Sequence, residues 1–96
     1  MSELVFREKK VLSENRIVEI KIWQVKKDEF NSEGYHYSLV YVKDGKRVLG
    51  YDNHERKRHH KHVHNEELGY NFTTKERLFE DFYNDLRAIM EEENEG

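Results

Sequence analysis

The feature that most constrains the fold is a stretch of strict two-residue alternation at residues 35–42, near the middle of the chain. One side of this extended stretch is aromatic and aliphatic, and the other side carries two valines. The residues of the first side are Tyr35, Tyr37, Leu39 and Tyr41. Asp44 and Gly45 follow, and both residue types tolerate the positive φ of a two-residue hairpin turn. The pattern therefore predicts a hairpin formed by residues 35–42 and 47–52, placed near the centre of a sheet.

A second alternating stretch lies upstream, at residues 17–25, and it is apolar on both sides. Val18, Ile20 and Ile22 share one side, and Trp23 and Val25 lie on the other. Residues 60–64 also alternate and predict a short edge strand. Strands first and a helix last indicate an α+β protein, with an antiparallel sheet of four to five strands. We expect one small domain over residues 1–96, its sheet over about residues 4–64.

The last part of the chain predicts an amphipathic helix over about residues 74–92, packed on one face of the sheet. Thr73 as N-cap and Glu76 three residues later fit a capping box. Apolar residues at three- and four-residue spacing form one stripe that is typical of a buried helix face. The stripe consists of Leu78, Phe79, Phe82, Tyr83, Leu86, Ile89 and Met90.

Composition limits the class of protein. The chain has no Cys, so a disulfide and a thiolate site are excluded. It has no long apolar run and no signal peptide, so we expect a cytoplasmic protein without a membrane partner. Residues 1–65 carry 14 Lys and Arg against 10 Asp and Glu, whereas residues 66–96 carry 3 against 10. This division predicts a basic body that faces nucleic acid and an acidic helix turned away from it.

Residues 54–64 hold five of the six histidines and four Lys and Arg, directly after Gly50, Tyr51, Asp52 and Asn53. Imidazole changes protonation near neutral pH and binds transition metals, and the cations between the histidines suit phosphate. The segment thus indicates polynucleotide handling or metal binding. A solvated basic loop would show the same composition.

Three motifs together resemble the TumE family of small proteins from toxin–antitoxin systems. They are residues 36–42, residues 48–54 and the basic histidine segment at residues 57–62. Residues 17–23 and the Phe72–Thr73 pair before the helix fit as well. Arg58 departs from the pattern, since a Gly is expected before the histidine pair. The resemblance implies a toxin that is neutralised by a partner antitoxin, for which a DNA-binding protein is the expected kind.

Small toxins of this kind often act on RNA, which suggests a histidine-dependent ribonuclease. Such an enzyme needs a base for the 2′-hydroxyl proton, an acid for the leaving oxygen and cations for the phosphorane. His54 or His60 is the candidate base, and Tyr51 or a second His, such as His62, is the candidate acid. Asp52 is the residue that can favour the protonated form of a neighbouring His. The candidate nucleic-acid ligands are Arg56, Lys57, Arg58 and Lys61.

A metal site is the alternative use of the same segment. Residues two apart on a strand point to one face, so His60 and His62 can present two imidazoles to one divalent ion. Asp52 or His54 would complete an open site with three protein ligands. His64 continues the same spacing. No organic cofactor is expected.

A different class of function is a non-enzymatic module that inhibits by binding a protein or a nucleic acid. Strands that are apolar on both faces favour it, because one helix covers only one face of a sheet. The other face would be covered by the N-terminal residues 4–6, by a second copy of the chain in a homodimer, or by the antitoxin.

Overall fold

The computed structural model describes residues 3–27, 34–53 and 59–95. Within these ranges the chain forms six strands and one helix. The strands are β1 (Glu3–Ser13), β2 (Arg16–Gln24), β3 (Tyr35–Lys43), β4 (Lys46–Asp52), β5 (His60–Val63) and β6 (Glu66–Gly69). The helix is α1 (Lys75–Glu95). No helix in these ranges is both long enough and apolar enough to cross a membrane.

The six strands form one antiparallel sheet in chain order, β1-β2-β3-β4-β5-β6. This confirms the α+β class and the central position of the β3–β4 hairpin. Asp44 and Gly45 form its turn, with φ values of 55° and 75°, the conformation that a two-residue hairpin loop requires. The expected count of four to five strands was too low. β6 was missed because Leu68 is its only large apolar residue, so it carries no alternating pattern.

The core lies between one face of the sheet and α1. β2, β3 and β4 supply alternate residues to it, and α1 supplies the predicted apolar stripe. The buried core residues are Val18, Ile20, Ile22, Tyr37, Leu39, Tyr41, Leu49, Tyr51, Leu78, Phe82, Leu86 and Ile89. We call this side of the sheet the helix face and the opposite side the open face.

The N-cap of α1 is Thr74, one residue later than the sequence pattern indicated. The Thr74 Oγ1 accepts a hydrogen bond from the backbone N–H of Arg77 at 3.1 Å. Thr74 therefore satisfies one of the donors that the first turn of a helix leaves unpaired. Thr73 was the wrong choice because its spacing from Glu76 only resembles a capping box, whereas the third helical residue is Arg77. The backbone geometry selects between the two adjacent threonines.

We expect Thr74→Ala to lower the free energy of unfolding by about 1 kcal/mol, because it removes the capping oxygen. Thr73→Ala is the matched control, and it should have little effect because it leaves the Thr74 hydroxyl in place. Chemical denaturation of both variants measures the difference. An equal or larger loss from Thr73→Ala would contradict the assignment of the cap.

The acidic end of α1 extends to Glu95, three residues beyond the expected end, and it is held to the sheet through Glu93. The Glu93 carboxylate accepts a hydrogen bond from the Tyr41 hydroxyl at 2.8 Å. It also lies 3.5 Å from Arg16 Nε and 3.7 Å from Lys43 Nζ. These contacts offset the unfavourable position of a carboxylate at a helix C-terminus.

β1 extends the sheet at its edge instead of crossing it. Residues 4–6 therefore do not cover the open face, which corrects one of the three expectations for that surface. Several apolar side chains of β1 are exposed on the sheet edge: Leu4, Val5, Phe6, Val11 and Leu12. An edge strand of this kind offers unpaired backbone groups and apolar surface to another chain.

Candidate functional site

Asp52, His60 and His62 lie together on the open face, where they form what we call the Asp–His–His cluster. His60 Nε2 is 2.7 Å from Asp52 Oδ1, and His62 Nε2 is 4.0 Å from Asp52 Oδ2. The two imidazole rings are 5.0 Å apart and nearly perpendicular, at 81°. One carboxylate thus faces both imidazoles, and the three side chains reach a common point.

The register of β4 and β5 produces this convergence. His60 lies directly opposite Asp52, and His62 lies opposite Gly50. His60 and His62 share a face because they are two residues apart on a strand. Asp52 is therefore the direct cross-strand neighbour of one His and the diagonal neighbour of the other, and both positions are within side-chain reach.

Glu67 and Arg47 border the cluster, although the sequence did not single them out. Glu67 lies opposite His62 on β6, and its Oε1 is 3.7 Å from His60 Nε2. Arg47 reaches the open face because the β3–β4 register shifts between Tyr41 and Val42. Strict alternation would place Arg47 on the helix face with Leu49 and Tyr51. No sequence signal indicates this irregularity. Glu67 was missed because β6 has no alternating apolar pattern that would predict a strand.

Gly50 leaves room for the Arg47 side chain beside the cluster. A Cβ atom at position 50 would lie 2.9 Å from Arg47 Cδ, which is closer than a normal contact. Any larger residue at this position would push the arginine aside. The Gly50 backbone thus helps to place a guanidinium next to His62.

The surroundings of His62 disfavour its protonated form. Burial is the largest cause that lowers its pKa, and the positive charge of Arg47 adds to it. Asp52 acts in the opposite direction and only partly compensates. His62 is therefore a neutral imidazole at pH 7, the form that accepts a proton or binds a metal.

Two other predicted site residues, Tyr51 and Lys61, lie on the helix face and not in the cluster. The buried Tyr51 hydroxyl donates a hydrogen bond to the Asp85 carboxylate, and Lys61 Nζ lies 3.1 Å from the same carboxylate. Burial and Asp85 raise the pKa of Tyr51, so its hydroxyl stays protonated. In the structure these side chains join α1 to β4 and β5, with the sheet between them and His60.

The remaining predicted site residues have other positions. His54, Arg56, Lys57 and Arg58 lie outside the described residues. His64 lies in the turn between β5 and β6 with a φ of 54°, beyond the end of β5. Because β5 ends at Val63, the alternation that places His60 and His62 on one face does not extend to His64.

Asn53 has a structural position at the end of β4. Its side-chain Oδ1 accepts a hydrogen bond from the Tyr37 backbone N–H at 2.9 Å, and its Nδ2 donates to the Tyr35 carbonyl at 2.8 Å. The amide thus continues the pairing of β3 beyond the last residue of β4. This contact fixes the end of the strand directly after Asp52.

The Asp–His–His cluster has two chemical capabilities. Two imidazoles beside a carboxylate and an arginine can transfer protons near a bound phosphate. The same three side chains each offer one ligand atom, and these atoms lie within 4.8 Å of one another. Within the described residues, these three side chains are close enough together to hold one metal ion.

Comparison with known proteins gives one family. Residues 2–90 of the 96-residue chain match the model of a family described as Toxin TumE. The match covers all six strands and most of α1. Searches of curated proteins and of solved structures find no match.

Proposed function

Since the chain belongs to the TumE family of toxins, we propose that it acts in the cytoplasm as a ribonuclease that depends on the Asp–His–His cluster. A toxin of a toxin–antitoxin system has a cognate antitoxin, so we expect one for this chain. The observation that carries the proposal is the convergence of His60 and His62 on one carboxylate. This group is on the face that α1 leaves open, where a polynucleotide can approach it.

The cluster contains the groups that RNA cleavage requires. A neutral imidazole can remove the 2′-hydroxyl proton, and a second, protonated imidazole can donate a proton to the leaving oxygen. Arg47 is exposed beside His62 and can contact a phosphate oxygen. If the imidazoles instead hold a metal ion, the ion supplies the positive charge. Both routes need His60 and His62, so the proposal does not depend on the choice between them.

We expect purified protein to cleave total cellular RNA, and we expect His60→Gln and His62→Ala each to reduce the rate at least about 100-fold. His64→Asn is the matched control. It removes the imidazole two residues after His62, and Asn tolerates the positive φ at that turn. Gel analysis of RNA incubated with and without divalent ions measures the effect.

Binding and cleavage should separate in these variants. RNA binding should weaken steeply with added salt, because contacts to phosphate release counterions. The His variants should retain most of that binding while they lose cleavage. Intact RNA with the wild-type protein under every ionic condition would contradict the ribonuclease proposal.

A non-enzymatic binding module is the second candidate function, and a specific observation favours it. The open face carries the half-buried apolar side chains of Ile17, Trp23, Val40 and Val42. The antitoxin or a second copy of the chain could cover them, and the oligomeric state in solution distinguishes the two. A binding module should lose toxicity and target binding together, whereas an enzyme should lose toxicity alone when a histidine is substituted.

A further inference from the structure

We propose that Asp52, His60 and His62 bind one divalent transition ion of the zinc class. Each side chain contributes one ligand atom, and the three atoms lie within 4.8 Å of one another. Two imidazoles and one carboxylate are a common ligand set of catalytic zinc sites. The binding site follows from this geometry alone, and its use in RNA cleavage rests on the proposed function.

The distances are close to those that an ion would impose. In a tetrahedral zinc site, bonds of about 2.0–2.2 Å place neighbouring ligand atoms about 3.3–3.6 Å apart. The Asp52–His60 separation of 2.7 Å would have to lengthen, and the Asp52–His62 separation of 4.0 Å would have to shorten. Side-chain rotations on a fixed backbone can supply both changes. The register of β4 and β5 already places the three side chains on one face of the sheet.

The local charge also favours a cation. Asp52 and Glu67 place two carboxylates beside the imidazoles, and the β3–β4 register brings the Arg47 side chain to the same face. Glu67 Oε1 lies 3.7 Å from His60 Nε2, the same nitrogen that faces Asp52, so this carboxylate is within reach of an ion bound there. The two carboxylates would repel a phosphate group, whereas a cation bound between them would attract that phosphate.

The site is suited to an ion with an open coordination position. His60 is almost buried, but the side chains of Asp52 and His62 are 18% and 17% exposed, so solvent reaches the cluster. Gly50, opposite His62, adds no side chain above this face. Three protein ligands and one exchangeable water are the arrangement of catalytic zinc sites, whereas structural sites usually have four protein ligands.

Zinc binding to the purified protein in the absence of RNA tests the site. Isothermal titration with Zn²⁺ should give one ion per chain, and His62→Ala and Asp52→Asn should each weaken the affinity at least about 100-fold. His64→Asn should bind like the wild type. Mg²⁺ should not bind, because it prefers oxygen ligands to imidazole. Unchanged circular dichroism and thermal unfolding would show that the variants are folded.

Absence of stoichiometric Zn²⁺ binding, or equal binding by the cluster variants and the wild type, would overturn the proposal. The RNA assay, run with chelator and with added Zn²⁺, separates this inference from the proposed function. Cleavage in chelator by a protein that takes up no ion refutes the metal site and leaves the ribonuclease intact. Stoichiometric binding with RNA intact throughout supports the site and refutes the ribonuclease.

Discussion

Phe82→Ala should lower the free energy of unfolding by about 3–5 kcal/mol. Phe82 has no exposed surface, and it lies in the middle of the apolar stripe of α1. Its ring packs edge-on against Tyr51, with centroids 6.0 Å apart, and against Tyr83, at 5.4 Å. Truncation removes these contacts and leaves a cavity between the helix and the sheet, which a rigid sheet cannot close.

This loss is large for a domain of this size, whose total stability is expected to be about 5–15 kcal/mol. Urea denaturation followed by circular dichroism measures it. Arg87→Ala is the matched control, because Arg87 is exposed on the same helix and its truncation should change stability by less than about 0.5 kcal/mol. An unchanged midpoint for Phe82→Ala would show that α1 does not cover the sheet as described.

Expression of the chain alone should arrest bacterial growth, and His60→Gln or His62→Ala should abolish the arrest. The reason is that both imidazoles face Asp52 in the cluster, and either chemical use of the cluster requires both of them. Colony counts after induction, with protein levels checked by immunoblot, measure the effect. His64→Asn should remain toxic, because this residue lies in the turn beyond β5.

The cognate antitoxin should restore growth to cells that express the wild-type chain. It should also bind the two non-toxic variants, because each variant changes one side chain and leaves the apolar residues of the open face in place. Co-purification of each variant with the antitoxin measures this binding. Wild-type toxicity of both histidine variants would contradict the enzymatic proposal and favour the binding module. Loss of both antitoxin binding and toxicity in the histidine variants would also favour the binding module.

The central elements of the fold could be predicted because their signals are local. The alternation in residues 35–42 predicted β3, and the turn residues Asp44 and Gly45 predicted its hairpin with β4. The apolar stripe gave the buried side of α1. β6 and the long β1 carry mostly charged or exposed residues, so their pairing comes from the sheet beside them. Tertiary pairing can override a weak local pattern.

For the site, the sequence by itself determined that His60 and His62 share one face of a strand, since alternation is a property of the extended backbone. Only the tertiary structure decided that Asp52 lies opposite His60, because the β4–β5 register depends on pairing between separate strands. It also decided that Arg47 reaches the open face, through an irregularity in the β3–β4 pairing. Side-chain direction along a strand is local, whereas register and bulges are set by long-range hydrogen bonding and packing.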